Sequence, residues 1–316
     1  MSGKLFQLSG TGVTELPSSR FPIERELQRL LESHLETFLG VRFLASEFGT
    51  GARHGGRIDT LGIDENNVPV IIEYKREVHD SVINQGLFYL DWLVNSKAEF
   101  RLLVQDTLGS AVAAAIDWSS PRLICIAAGF THYDTYAVQQ ISRSIELLRY
   151  KRYGQEHLML ELVNTPLTVT TQAASPSVRP VPPSLPTVPD ADNPAPGVTV
   201  TAESALLKGT PELIERYRML AEYLQGLGDD VQVKTLKLYF AFKRLKNFVT
   251  VVPGSNKNEL WLYLKLDPAT VQPEDNFTRD VRAIGHWGTG DLELTIRTDA
   301  DLEKAKPLLL RSYEQS

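Results

Sequence analysis

The sequence predicts an α/β protein in which helices flank a mixed central sheet, followed by a smaller α+β domain. Two observations support this fold class. Segments with helical spacing of apolar residues alternate with short runs rich in β-branched and aromatic residues. A proline-rich segment divides these elements into two groups. The chain has 316 residues, a length that suits two domains with one hydrophobic core each.

The first domain is predicted to begin with a helix over residues 21–40, where leucines recur at helical spacing and Gly40 is a stop signal. Three strands are then predicted for VRFLASEF, GRIDTLGID and VPVIIEYKR. The turn-forming cluster DENN joins the last two, so we expect a hairpin. A second helix is predicted for HDSVINQGLFYLDWLVNS, and further strands for FRLLVQ, PRLICIAA and HLMLELV. Together these segments indicate a mixed central sheet.

The domain boundary is set by composition, because nine of the 18 prolines lie between Pro166 and Pro196. A stretch of this kind favours extended chain over a packed core. The expected division is a first domain over 1–163, a flexible linker over 164–208 and an accessory domain over 209–316. The accessory domain should open with a helix capped by Thr210 and close with a helix that Pro307 kinks or interrupts.

Charge and cysteine content exclude several classes of protein. The chain has 33 basic and 39 acidic side chains, a net charge of −6, which argues against coating of nucleic acid through bulk charge. It leaves open an enzyme that binds a few phosphates locally. No apolar run approaches the roughly 18 residues of a membrane span. The single cysteine, Cys125, has no intrachain partner, so we expect a soluble protein of the reducing cytoplasm.

The residues that point to chemistry are Asp59, Glu73 and Lys75. Side chains two apart in a strand share a face, and the predicted hairpin brings Asp59 across toward Glu73. Two close carboxylates repel each other, and a divalent cation such as Mg²⁺ or Mn²⁺ relieves that repulsion. A nearby lysine can orient a metal-bound water or stabilise charge on a phosphate. The pattern therefore predicts metal-dependent phosphodiester hydrolysis, with a surface ion pair at a strand end as the alternative reading.

An ordered set of residues extends this pattern: Glu26 in the first helix, the GRID and EYK motifs, and Gln85 and Tyr89 in the next helix. Over residues 20–163 the set resembles the PD-(D/E)XK nuclease superfamily, specifically the catalytic domain of NucS/EndoMS-type endonucleases. The resemblance implies a restriction-endonuclease-like fold. It also implies Asp59 and Glu73 as metal ligands, Lys75 as the catalytic lysine, and Glu26 and Gln85 as supporting catalytic residues.

Contacts to nucleic acid are expected from Arg53 and Arg57, which lie in a glycine-rich basic segment, and from Tyr89, four residues after Gln85 on the same helix face. A plain solvated loop is the alternative for the two arginines. Glu47 ends the preceding strand, where it either reaches the metal or is simply solvated.

The accessory domain is less informative. NucS-type enzymes carry a β-rich domain before the nuclease domain, whereas about twenty residues precede the first helix here, so substrate specificity is not carried over. The accessory domain instead resembles an uncharacterised family sometimes labelled predicted transport protein. Its segment KTLKLYFAFKRLKNF combines basic and aromatic residues, which suits either binding of a nucleic-acid strand or a half-buried strand with a charged face.

The expected function is a Mg²⁺- or Mn²⁺-dependent endonuclease that hydrolyses DNA in repair, restriction or defence. Its partner is DNA, with single-stranded, branched and duplex forms all open, and a homodimer is a further option. The alternative from another class is a nuclease-fold protein without turnover that binds nucleic acid or acts as a scaffold. RNA as the substrate would need the same catalytic residues.

Overall fold

The computed structural model describes residues 4–76, 81–163, 201–254 and 256–316, with the side chains of residues 52, 53 and 81 left out. The proline-rich segment between Pro166 and Pro196 lies outside these ranges. The elements of the first domain are β1 (Leu5–Ser9), β2 (Gly12–Leu16), β3 (Ser18–Ser19), α1 (Glu24–Ser33), α2 (Leu35–Leu39), β4 (Val41–Gly49), α3 (Gly51–His54), β5 (Arg57–Asp64), β6 (Pro69–Lys75), α4 (Ser81–Asn95), α5 (Lys97–Leu108), α6 (Ser110–Ala114), β7 (Arg122–Ala127), α7 (His132–Gln139), β8 (Ser144–Tyr153) and β9 (His157–Leu162).

The second domain has the elements α8 (Ala202–Leu207), α9 (Pro211–Gln225), β10 (Gln232–Thr235), β11 (Phe240–Lys243), β12 (Asn247–Gly254), β13 (Glu259–Leu264), β14 (Thr278–Asp280), β15 (Leu292–Ile296) and α10 (Asp299–Glu314). Its strands form one sheet in the order β10-β11-β12-β13-β15-β14, and every pair in it is antiparallel. Helices α8, α9 and α10 pack on this sheet through a shared apolar core. The α+β architecture expected for this domain is confirmed.

The first domain is built on a mixed sheet, as its sequence predicts. The strand order is β3-β8-β7-β6-β5-β4, with β9 on β8. Strands β4, β5 and β6 are antiparallel neighbours, whereas β6, β7 and β8 run parallel. Leucines of α1 and α2 cover one face of the sheet, and side chains of α4 and α5 cover the other. This three-layer arrangement fixes the strands from both sides.

The β5–β6 hairpin is formed by the turn chemistry of DENN. Asp64 Oδ1 accepts hydrogen bonds from the backbone N–H groups of Asn66 and Val68, each at 2.9 Å. Asn67 takes a left-handed φ of 59°, a conformation that asparagine tolerates better than most residues. The hairpin then pairs Thr60 with Ile72 and Gly62 with Val70, which sets the register of the site residues at its open end.

The turn of this hairpin inserts into the second domain. Asn66 Oδ1 accepts hydrogen bonds from Asn247 Nδ2 at 2.8 Å and from Tyr239 Oη at 3.0 Å. Val68 is completely buried in an apolar cluster with side chains of the second domain, among them Val252. The two domains therefore share a packed interface around this turn.

Among the places where the secondary structure differs from the sequence prediction, four concern segments that the sequence assigned differently. FRLLVQ is part of α5, because a short apolar run fits a buried helix as well as a strand. The helix expected over 21–40 is broken at His34 into α1 and α2. Helix α10 is not interrupted at Pro307, which lies inside it with an exposed ring.

The fourth difference concerns the start of the second domain. Residues of α8, including Ala202 and Leu206, are buried in its core, so the boundary expected at residue 209 moves to about 202. Two apolar positions one turn apart are too few for a periodicity argument to detect. Among the described residues, none of the helices is both long and apolar enough to span a lipid bilayer.

Candidate active site

Two carboxylates meet at the open end of the β5–β6 hairpin. Asp59 and Glu73 are the next residues after the Thr60–Ile72 pair. The Asp59 backbone N–H donates to Glu73 Oε1 at 3.2 Å, and the Tyr74 backbone N–H donates to Asp59 Oδ2 at 3.0 Å. The strand backbones thus hold both side chains in the space between β5 and β6.

The charge of the pair is only partly compensated by the residues that the structure describes. Glu73 is completely buried, and within the described part of the chain its Oε2 has no hydrogen-bond partner. Burial, followed by repulsion from Asp59, raises the pKa of Glu73 to about 9. Burial also raises the pKa of Asp59, although the bond from Tyr74 opposes that shift. An unpaired buried carboxylate oxygen costs free energy that a bound cation would recover.

Lys75 supplies the positive charge nearest to the pair in sequence. Its Nζ lies 3.5 Å from Glu24 Oε1, and the neighbouring Arg76 N–H donates to Glu24 Oε2 at 3.0 Å. The ammonium group lowers the pKa of both Asp59 and Glu73, but burial outweighs it. Lys75 therefore faces the carboxylates while Glu24 holds its end of β6 against α1.

The structure brings Glu24 to Lys75, and it does not bring Glu26. Both residues lie in the first turn of α1. Residues two apart on a helix point to nearly opposite sides, and Glu26 is exposed. The spacing of leucines predicts the helix. It does not fix the rotation of the helix about its axis closely enough to decide which of the two glutamates faces Lys75.

Gln28 is a further residue of the site that sequence reasoning missed. Its Nε2 donates to the Asp59 carbonyl at 2.9 Å, to Ser46 Oγ at 3.2 Å and to Glu32 Oε1 at 3.0 Å. These bonds fix the backbone of Asp59 against α1. The sequence did contain a signal for Gln28. It is a polar residue next to the buried leucines of α1, one turn from both Glu24 and Glu32.

Gln85 and Tyr89 support the start of β5. Tyr89 Oη accepts from the Arg57 backbone N–H at 3.1 Å and from Gln85 Nε2 at 3.4 Å. A Cβ at Gly56 would lie 2.5 Å from the Tyr89 ring, so glycine is required there. Tyr89 is only 6% exposed, and its ring packs on the protein instead of being open to a nucleic-acid base.

Of the two predicted basic contacts, Arg57 can be described. Its guanidinium is exposed, and Nε lies 2.5 Å from Glu47 Oε2. Glu47 takes a left-handed φ of 53°, which is uncommon for glutamate, and its charge raises the pKa of Asp59. Glu47 is therefore a third carboxylate close to the pair. The side chain of Arg53 lies outside the described residues.

The remaining candidates are structural. Cys125 is completely buried, and burial followed by the charge of Glu73 raises the pKa of its thiol, which disfavours a thiolate nucleophile. In the second domain Tyr239, Phe240, Phe242 and Phe248 are buried, so KTLKLYFAFKRLKNF forms core strands and leaves these rings unavailable for stacking on bases. Lys243 from the same segment is buried in an ion pair.

The donor set fits a hard divalent cation that keeps most of its water. No group of three or more histidine, cysteine, aspartate or glutamate side chains in metal-binding arrangement occurs among the described residues. Mg²⁺ commonly binds through one or two carboxylates and retains several waters. The carboxylates of Asp59 and Glu73 and the unpaired Glu73 Oε2 suit this type of binding.

Comparison with known proteins gives matches of two kinds. Residues 202–316 match the family described as Domain of unknown function (DUF5655). An uncharacterized protein of Haemophilus influenzae is 28% identical over 314 residues, which cover 98% of this chain and 99% of that protein. The division of the chain at about residue 202 agrees with the start of the family match.

Two solved structures are also similar to part of the chain. A repair endonuclease from Pyrococcus abyssi is 19% identical with a TM-score of 0.28, and a complex of EndoMS with double-stranded DNA is 17% identical with a TM-score of 0.24. Each match covers 43% of this chain and 51% of the solved chain. This chain therefore spans about half the length of the solved structures it matches.

Proposed function

We propose that the protein is a Mg²⁺- or Mn²⁺-dependent endonuclease of the PD-(D/E)XK type that hydrolyses DNA. One observation carries the proposal: the buried, unpartnered Glu73 Oε2 beside Asp59. Such a pair is costly without a cation, and an enzyme accepts this cost at a site that must hold one. The site geometry supports the proposal independently of the partial likeness to solved endonucleases.

In this proposal Asp59 and Glu73 would hold the cation, which when bound would supply Lewis-acid polarisation of the scissile phosphate and of a water. The peptide N–H groups of Asp59 and Tyr74 hold the two carboxylates in fixed orientations. Because the carboxylates are fixed in advance, little reorganisation is needed during the reaction.

Lys75 has the role of stabilising negative charge on the phosphate in the transition state, or of orienting the water. Its Nζ is 3.5 Å from Glu24, a long contact that leaves donors of the ammonium group free for substrate. Glu24, Gln28, Gln85 and Tyr89 then act as positioning residues, since they contact the backbone or side chains that carry the reacting groups.

Arg57 is the proposed contact to the DNA backbone. It is exposed, and it is two residues before Asp59 on β5. Its partner Glu47 is half-buried, but the guanidinium is open to solvent, so exchanging this ion pair for a contact to a phosphate has a modest cost. The role of Arg53 beside it is proposed from sequence alone. A task in repair, restriction or defence suits an enzyme of this kind.

The test is cleavage of single-stranded, duplex, mismatched and flapped DNA with Mg²⁺ or Mn²⁺, with matched RNA as a further substrate. Asp59→Asn, Glu73→Gln and Lys75→Met should each lower the rate by at least about 100-fold, the scale expected when a group that stabilises the transition state is removed. Glu26→Gln is the matched control, since its carboxylate is exposed, and it should stay within about 2-fold.

Two results would contradict the proposal. One is cleavage that persists unchanged in Asp59→Asn or Lys75→Met. The other is the absence of cleavage on every substrate combined with DNA binding that is equal in EDTA and in Mn²⁺. The second result would instead support a binding or scaffold protein that has the fold without turnover.

A further inference from the structure

A second site with unsatisfied polar groups lies between the two domains. A cavity of about 590 Å³ is lined by Ser119 and Ser144 of the first domain and by Tyr217, Lys234 and Phe240 of the second. This volume lies within the range of pockets that hold small ligands. The cavity adjoins the turn end of the β5–β6 hairpin, because Arg122, which also lines it, pairs in register with Val70. Asp59 and Glu73 lie at the other end of that hairpin.

The edge strand β10 presents two donors to this cavity. Gln232 and Lys234 are two residues apart, and Gln232 lies opposite Lys243 of β11, so all three side chains share one face of the sheet. Lys234 Nζ and Gln232 Nε2 are both buried, and neither has a hydrogen-bond partner among the described residues. Unpaired buried donors are uncommon in folded proteins and call for an explanation.

The charges around Lys234 do not provide that explanation. The buried carboxylates nearby, Asp64 and Glu146, already accept hydrogen bonds from Arg122, and Glu146 also accepts from Lys243. The fully enclosed part of the cluster thus contains three cations and two anions. Asp117 is a further, half-buried anion on the cavity wall, but among the described residues Lys234 Nζ has no hydrogen-bond partner. Burial lowers the pKa of Lys234, although the charges of Asp64, Asp117 and Glu146 oppose the shift. A single bound anion would accept hydrogen bonds from both unpartnered donors.

The cavity also has an apolar side. Tyr217 and Phe240 lie together with ring centroids 4.5 Å apart, and Leu206 of α8 lines the same space. A ligand with an apolar or aromatic body would bury it on these side chains. Ion recognition at Lys234 and apolar contact at Tyr217 therefore occur in one cavity.

We propose that this cavity binds a small molecule with an apolar or aromatic body and one anionic group, a carboxylate or a phosphate. The anionic group accepts hydrogen bonds from Lys234 and Gln232, and the body packs against Tyr217 and Phe240. Because both domains line the cavity, the ligand would bind the two domains in their packed arrangement and stabilise it. This proposal is independent of the endonuclease function.

The test is titration calorimetry on the full chain with benzoate, phenyl phosphate and adenosine 5′-monophosphate. Benzamide, phenol and adenosine are the uncharged counterparts, and inorganic phosphate is the anion without a body. At least one anionic probe should bind saturably, at least 10-fold tighter than its uncharged counterpart and than inorganic phosphate. Comparing the affinities for benzoate and phenyl phosphate shows whether the site prefers a carboxylate or a phosphate.

Lys234→Met should weaken that binding at least 10-fold and should not lower the melting temperature of the free chain, since it removes an unpaired buried charge. Lys208→Met, an exposed lysine of the same domain, is the matched control and should bind within 2-fold of the unchanged protein. Three results would overturn the proposal: no saturable binding of any anionic probe, equal binding by Lys234→Met, or a clear drop in its melting temperature, which would make Lys234 a structural member of the ion cluster.

Discussion

A pair of carboxylates lies at each end of the β5–β6 hairpin, and the pKa values of the two pairs are shifted in opposite directions. At its open end, Asp59 and Glu73 are held close, and the part of the chain that the structure describes provides no cation at hydrogen-bond distance from them; burial raises the pKa of both. At its turn end, Arg122 Nη1 lies 2.8 Å from Asp64 Oδ2, and Arg122 Nε lies 2.7 Å from Glu146 Oε1.

The second pair behaves differently because its charge is compensated. Burial alone would raise the pKa of Glu146, but Arg122 and Lys243 lower it to about 2. The pKa of Asp64 is lowered for the same reason. Burial is common to both pairs, so it is the presence of a bonded cation that distinguishes a carboxylate pair that holds the fold from one that is available to a ligand.

The largest expected effect comes from removing the cation at the compensated end. Arg122→Met leaves Asp64 and Glu146 buried without the hydrogen bonds of Arg122, with Lys234 and Lys243 as the nearby cations. It should lower the free energy of unfolding by about 3–5 kcal/mol. Urea denaturation followed by circular dichroism measures the loss.

Arg149→Met is the matched control. Arg149 also pairs with a glutamate across neighbouring strands, at 2.7 Å, but Glu161 is 31% exposed. Its loss should cost under about 1 kcal/mol. Equal losses in the two variants would show that burial does not distinguish these pairs.

The next effect is acid sensitivity. Because the pKa of Glu146 in the folded protein, about 2, lies below its ordinary value of 4.5, its contribution is fully present above pH 4.5 and is lost as the pH falls toward 2. We expect a loss on the order of 1–3 kcal/mol over this range, in urea denaturation at pH 6, 4 and 3. If the free energy of unfolding of Arg122→Met falls as steeply with pH as that of the unchanged protein, the acid sensitivity belongs to other groups.

A smaller effect is expected where the backbone approaches the open end of the hairpin. Gly56→Ala would place a Cβ 2.5 Å from the Tyr89 ring and should cost about 1–3 kcal/mol, as overpacking does. Gly49→Ala is the control, because its Cβ would meet nothing within 4 Å. Thermal melting of both variants measures the difference, and an equal change in the two would remove the assigned role of Tyr89.

The smallest effect has the opposite sign. Because burial raises the pKa of Glu73 to about 9, the folded protein at pH 8 must hold a proton on this carboxyl group that the unfolded chain releases. Glu73→Gln removes that cost and should raise the metal-free stability at pH 8 by about 1 kcal/mol. The same variant should lose any gain in melting temperature that Mn²⁺ gives the unchanged protein. Glu26→Gln should change neither quantity. If Glu73→Gln is less stable than the unchanged protein and its melting temperature still rises with Mn²⁺, the two ends of the hairpin do not differ in the way described.

Much of the first domain follows from local sequence. The DENN turn and the flanking β-branched runs predict the hairpin, and a hairpin of fixed register carries Asp59 to Glu73. The error at FRLLVQ comes from the same kind of rule, since six apolar-rich residues without flanking signals do not distinguish a strand from the interior of α5.

The other parts of the site depend on tertiary contacts. Glu24 rather than Glu26 reaches Lys75 because packing of α1 on the sheet fixes its rotation, and a pattern of leucines leaves that rotation uncertain by a residue. The ion cluster was not predictable, because Arg122 meets Asp64 and Glu146 across 58 and 24 residues of chain. No local pattern records a contact of this kind.

The insertion of the hairpin turn into the second domain limits how the first domain can be transferred to another protein. Val68 and Asn66 are buried mainly by side chains from the other half of the protein. A fragment ending at residue 163 would expose an apolar valine and leave an asparagine without its hydrogen bonds, on the same β-ribbon that carries Asp59 and Glu73. Any chimera that contains the first domain must therefore supply other side chains to cover this turn, or the strand register at the end that carries Asp59 and Glu73 will be lost.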